Sequence, residues 1–94
     1  MAVVVIQEFV ATVEQYDQVT EKVDGANNPP DGLIAHAGVD AGGGKMAVYD
    51  IWETAGAFEK FAEERLGPIV GEVLGEDAAP PKLEIKEARD VATG

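Results

Sequence analysis

His36 is the only histidine of the 94-residue chain. Imidazole is the one side chain whose unperturbed pKa lies near neutrality, so His36 is the candidate for acid or base chemistry. Asp50 is the second candidate. It interrupts the apolar run from Met46 to Trp52, where a carboxylate is costly to bury unless paired. Asp50 is therefore solvated, bonded to a partner such as His36, or part of a site. Tyr16, Tyr49 and Trp52 carry aromatic surface with a polar tip, suited to stacking on a small ligand or to packing in a core. A structural role is open to His36 as well, either half-exposed or packed in an interface.

Other chemistries lack their residues. There is no cysteine, so neither a thiolate nucleophile nor a disulfide framework is available. No ligand partner stands near His36 in sequence, so no metal site is expected. The run Gly42-Gly43-Gly44-Lys45 resembles a phosphate loop only superficially. Val39 stands where the first glycine of that motif belongs, Met46 where the hydroxyl residue belongs, and a strand pattern follows instead of a helix. The glycines supply positive φ angles for a hairpin turn.

The elements that must position these residues follow from residue type and period. Residues 2–10 are rich in valine and isoleucine, whose β-branched side chains favour a strand. Thr12 with Gln15 forms a capping-box pattern. Val13, Tyr16, Val19 and Val23 then recur at helical spacing until Gly25 offers a stop. The stretch Ala26–Gly32 holds two prolines and cannot continue a helix. A second strand is expected at about Leu33 to Val39, a reversal at Asp40–Gly44, and a third strand from Lys45 to Glu53. On that strand Met46, Val48, Asp50 and Trp52 share one face, and Ala47, Tyr49, Ile51 and Glu53 the other. His36 alternates with Ile34 and Gly38, and a one-residue slip in register would turn it to the opposite face.

Thr54 caps a second helix with Phe58, Phe61, Ala62 and Leu66 on one side. Gly67 and Pro68 restart the chain as a short third helix that stops at Gly75. The last strand is expected over about Lys82 to Val91. The order β-α-β-β-α-β is the ferredoxin-like motif: a single α+β domain over residues 1–94 with an antiparallel sheet.

Eighteen acidic against seven basic residues give a formal charge of -11, which repels phosphate backbones and anionic lipid surfaces, so nucleic acid and membranes are excluded as partners. Gln7 and Glu8 interrupt the N-terminal apolar run far short of a signal core or a membrane span, and a cytoplasmic protein is expected. Strand one is apolar on both faces, yet two helices cover only one face of a sheet. The uncovered face predicts a homodimer, sheet against sheet.

The segment AVYDIWETAGAFEKFAEERLGP, Ala47 to Pro68, resembles the strand-three and helix-two segment of the dimeric α/β-barrel superfamily, in its antibiotic-biosynthesis-monooxygenase-like branch. Trp52-Glu53-Thr54 and Ala57-Phe58 carry the likeness. The resemblance implies two ferredoxin-like subunits forming a barrel, with a ligand held between sheet and helices in each. Phe61 stands at the helix position that holds histidine in quinol-oxidising members and tryptophan in haem degraders. Gln7 or Glu8 stands where the haem degraders place an asparagine, and Gly71 near their iron-binding histidine. Neither haem nor another cofactor is therefore expected. Two functions remain open. One is a cofactor-independent oxygenase or cyclase acting on a small aromatic or polyketide-like metabolite, with His36 and Asp50 as catalytic candidates and Tyr16, Tyr49, Trp52 and Phe61 lining the substrate pocket. The other is a non-catalytic dimeric module that binds a small molecule or a protein.

Overall fold

A computed structural model describes residues 1–93; Gly94, the last residue of the expected domain, lies outside the described residues. The chain runs β1 (Val3–Val10), α1 (Val13–Val23), β2 (Leu33–Gly42), β3 (Lys45–Trp52), α2 (Ala55–Phe61), a π-helical turn (Ala62–Leu66), α3 (Gly67–Leu74) and β4 (Lys82–Glu87). The four strands form one antiparallel sheet in the order β2-β3-β1-β4, which is the ferredoxin-like α+β fold.

Central position explains the composition of β1. It pairs with β3 on one side and β4 on the other, and its inward residues Val3, Val5 and Gln7 are buried. Trp52 and Phe58 complete the core with Val3 and Val5. The Trp52 ring meets Phe58 edge to face at 5.7 Å and Phe61 at 5.3 Å, which locks α2 onto the end of β3.

Helix ends follow their local chemistry. The Thr12 hydroxyl accepts from the Gln15 amide at 3.1 Å while Gln15 Oε1 accepts from the Thr12 amide at 2.9 Å, the reciprocal capping box expected. The stop comes one residue before Gly25. Asp24 adopts the left-handed conformation at φ 54°, which short polar side chains tolerate, and accepts from Asn27 Nδ2 at 2.8 Å.

The β2-β3 hairpin is longer and tighter than its glycine run suggested. β2 continues three residues past Val39, and the turn is Gly43-Gly44 alone, both at positive φ as a type I′ turn requires. Two irregularities interrupt the β2-β3 ladder, between Leu33 and Ala35 and between Asp40 and Gly42. The first inserts Ile34 as an extra residue, so Leu33 and His36 share a face despite standing three apart.

The break expected at Gly67-Pro68 is absent. The Gly67 amide bonds the Ala62 carbonyl, a π-type step, and Pro68 enters the first turn of α3, where its missing amide is not needed. A Cβ on Gly67 would lie 2.9 Å from the Ala62 carbonyl oxygen, so the turn closes only around glycine. β4 ends at Glu87, short of Val91, because its partner β1 begins at Val3, directly opposite Glu87. A single further bond, Ala88 N to Ala2 O at 2.9 Å, continues the pairing.

Candidate functional site

Between the inner face of the sheet and the helices lies a cavity of about 410 Å³ with largely apolar walls. β1 contributes Gln7 and Phe9, β3 contributes Val48, Asp50 and Trp52, and α1 contributes Tyr16 and Val19. Phe61 of α2, Leu66 of the π turn and Val70 of α3 close it from the other side. The π turn matters here, because it carries the chain from Phe61 to Leu66 without a break and keeps both on the cavity wall.

Four polar side chains converge on one wall. His36 stands directly opposite Asp50 in the β2-β3 register. His36 Nδ1 lies 2.6 Å from Asp50 Oδ1, and Trp52 Nε1 donates to Asp50 Oδ2 at 3.2 Å. The buried Asp50 carboxylate, 4% exposed, thus accepts a hydrogen bond on each oxygen, which answers the cost of its burial. A carboxylate can only accept, so Nδ1 carries a proton and the Nε2 lone pair of neutral His36 faces Tyr16, whose hydroxyl lies 3.3 Å away and donates to it. The order along the wall is Tyr16, His36, Asp50, Trp52.

Electrostatics poise this row. The hydrogen bond and charge of Asp50 hold the imidazolium of His36 above its ordinary pKa, outweighing the opposing effect of burial. Burial pushes the Tyr16 phenol above its usual value, outweighing the lowering effect of the neighbouring Thr20 hydroxyl, and the Asp50 and Asp17 charges add to the rise. Tyr16 therefore stays a neutral hydroxyl at neutral pH and can donate one hydrogen bond while accepting another. His36 is half-exposed and supplies the row's proton acceptor.

Of the six residues singled out from the sequence, five line this cavity: His36, Asp50, Tyr16, Trp52 and Phe61. Tyr49 does not, which corrects its assignment as a pocket residue. Strand alternation points it to the helix-free face, where it is 48% exposed. Two further residues carry the site. Gly38 lies beneath the Tyr16 ring: a Cβ there would stand 1.8 Å from the Tyr16 hydroxyl, so only glycine lets Tyr16 lie over the sheet and reach His36. Gln7 is buried on the cavity wall. A signal for Gln7 existed, because it holds an inward position of β1 otherwise occupied by Val3, Val5 and Phe9. No pattern in the sequence placed Tyr16 over Gly38.

Among the described residues no three His, Cys, Asp or Glu side chains group as metal ligands, and no helix is long and apolar enough to cross a membrane.

Fold and site together define a small ferredoxin-like protein with a largely apolar cavity between sheet and helices and a histidine-carboxylate pair on its wall. The sequence matches no protein-family model and no curated protein. Solved structures do share the fold. A Nitrosomonas europaea protein of unknown function superposes with a TM-score of 0.77 at 14% identity, covering 99% of this chain and 94% of that one. SnoaB, a cofactor-independent oxygenase from Streptomyces nogalater, gives 0.66 at 13% identity over 96% and 95% of the two chains. A Streptomyces coelicolor monooxygenase in complex with nanaomycin D gives 0.67 at 16% identity over 99% and 92%. These likenesses, all at low identity, show the ferredoxin-like fold.

Proposed function

We propose that the protein is a cofactor-independent oxygenase for a small, electron-rich aromatic metabolite, with His36 as its base. The observation that carries this reading is the Tyr16-His36-Asp50 row opening on a largely apolar cavity. Deprotonating an acidic hydroxyl or activated methylene makes the ligand anion a reductant for dioxygen, so one proton acceptor in a shaped, dry pocket is sufficient machinery. The substrate proton passes to the Tyr16 oxygen as the Tyr16 proton moves to His36 Nε2, and Asp50 stabilises the imidazolium formed. The ligand anion then reduces dioxygen and bonds to it, giving a peroxide anion that recovers the proton. From an activated methylene, the hydroperoxide loses water and leaves a carbonyl, so one dioxygen yields one carbonyl and one water. The structural likeness to SnoaB and to the S. coelicolor monooxygenase supports the reading.

The working unit in this proposal is a homodimer. On the helix-free face Val4 and Ile6 of β1 pair with Ile51 and Tyr49 of β3, while Val10, Val39 and Tyr49 are exposed. Such a surface is best covered by a second copy.

Oxygen uptake with hydroxylated naphthalenes and anthrones tests the function. The wild type is expected to consume oxygen and His36→Gln to lose roughly 10²-fold in rate with its assembly intact. Binding without oxygen uptake above that of His36→Gln would leave a ligand-binding module instead of an enzyme.

A further inference from the structure

The Tyr16-His36-Asp50 row leaves one polar group of the cavity unused. Gln7 is 5% exposed and lines the cavity, yet among the described residues its side-chain amide makes no hydrogen bond to the protein. No side-chain polar atom among those residues is both sealed from solvent and unpartnered, so the Gln7 amide reaches the cavity itself. An amide that water can reach on an apolar wall is hydrated until a ligand displaces that water, and the ligand must then supply a matching polar atom or leave the amide unpaired. The same logic lets a site built around a polar group reject analogues that lack the matching atom.

Its position is set by the sheet. Val5, Asp50 and His36 lie in one row across β1, β3 and β2, and Gln7, Val48 and Gly38 lie in the next. The Tyr16 hydroxyl stands over Gly38. Gln7 therefore stands two strand spacings, about 10 Å, from the Tyr16 end of the cavity. With the Gln7 side chain extended, the gap is spanned by a fused bicyclic ring with one oxygen at each edge. The apolar wall between them, with Val48 at its centre, suits the ring itself.

We infer that Gln7 is the specificity-determining residue of the cavity: it hydrogen-bonds an oxygen substituent on the ligand edge remote from His36. The inference rests on the proposed function for the role of the His36 end. A primary amide both donates and accepts, so Gln7 takes a hydroxyl through its oxygen and a carbonyl through its NH₂. Substrate and oxidised product are thus held by the same residue, and selection is for the presence of the oxygen, not for its oxidation state.

Calorimetric titration with α-naphthol and with 1,5-dihydroxynaphthalene tests this in the wild type, Gln7→Leu and Gln7→Met. Methionine is included because it keeps the unbranched length of glutamine should leucine disturb the central strand. The diol should bind the wild type about tenfold more tightly than α-naphthol. Both variants should bring that ratio close to one with α-naphthol affinity unchanged within about twofold. The His36 ring resonances, recorded with each probe, place the ligand. If both probes shift His36 but the wild type shows no preference for the diol, or the Gln7 variants keep it, the Gln7 assignment fails and the proposed function stands. If neither probe binds or shifts His36, both fail.

Discussion

Substituting Gly38 with alanine puts the architecture of the site to a direct energetic test. The three atoms nearest a Cβ at this position all belong to the Tyr16 phenol: the hydroxyl at 1.8 Å, Cζ at 2.5 Å and Cε1 at 3.0 Å, against 3.4 Å for the near edge of ordinary contact. Gly38 is not at positive φ, so alanine carries no backbone strain, and the whole effect comes through Tyr16. The ring is rigid and must swing away, which breaks its 3.3 Å hydrogen bond to His36. Losing that bond costs about 1 kcal/mol, and displaced packing raises the total to about 1–3 kcal/mol. In a Tyr16→Ala background the obstacle is gone. There Gly38→Ala should be neutral or stabilising by up to about 1 kcal/mol, since alanine suits a strand better than glycine. Urea unfolding followed by the fluorescence of Trp52, the sole tryptophan, measures all four members of this double-mutant cycle. An equal effect of Gly38→Ala in both backgrounds, within about 0.5 kcal/mol, would refute the placement of Tyr16 over the sheet.

Other consequences can be checked independently. Because Asp50 raises the His36 pKa in the folded state, the pair's contribution to stability is complete below the unfolded value of about 6.5 and is lost as pH rises through the higher folded value. Asp50→Asn should abolish or reverse that slope, since burial alone opposes the charge; an unchanged stability-pH profile contradicts the pairing. Arg65 Nη2 donates to the Val23 carbonyl at 2.6 Å and the Asn28 carbonyl at 2.9 Å, tying the loop after α1 to the π turn. Arg65→Met should therefore speed amide exchange across residues 24–32, and exchange rates equal to wild type would sink the strap. Sedimentation should give twice 9.9 kDa for the wild type, and Tyr49→Glu should shift the protein toward monomer by placing a charge on the helix-free face. A wild-type monomer at micromolar concentration would end the homodimer proposal.

Much of the fold was legible because local chemistry and tertiary role coincide. Thr12 with Gln15 and Thr54 before α2 cap their helices as their residue types dictate, and the valine-rich β1 forms a central strand whose inward face is buried. The rest depended on interactions far apart in sequence. Gly67-Pro68 reads locally as a break, yet the Gly67 amide reaches back to the Ala62 carbonyl and the chain continues through a π step. The end of β4 is set by where β1 begins, which the sequence of β4 does not record. For the site, the polarity of Asp50 within an apolar strand called for a partner, which is His36, and Tyr49 differs from it only by strand parity. His36 was ambiguous because the extra residue Ile34 resets the alternation of β2 between Leu33 and His36. A bulge of that kind leaves no trace in hydrophobic pattern.

The central claim is that His36 is a base held by Asp50 and open to the cavity, and its uniqueness makes one measurement decisive. The chain's single histidine gives one set of imidazole nitrogen resonances, which a nuclear magnetic resonance titration follows without ambiguity, free and with the naphthalenediol bound. The account predicts a pKa above 6.5, a neutral form protonated on Nδ1, and a change in both nitrogen shifts on ligand binding. A pKa at or below 6.5, or ring signals indifferent to a ligand that demonstrably binds, would contradict it.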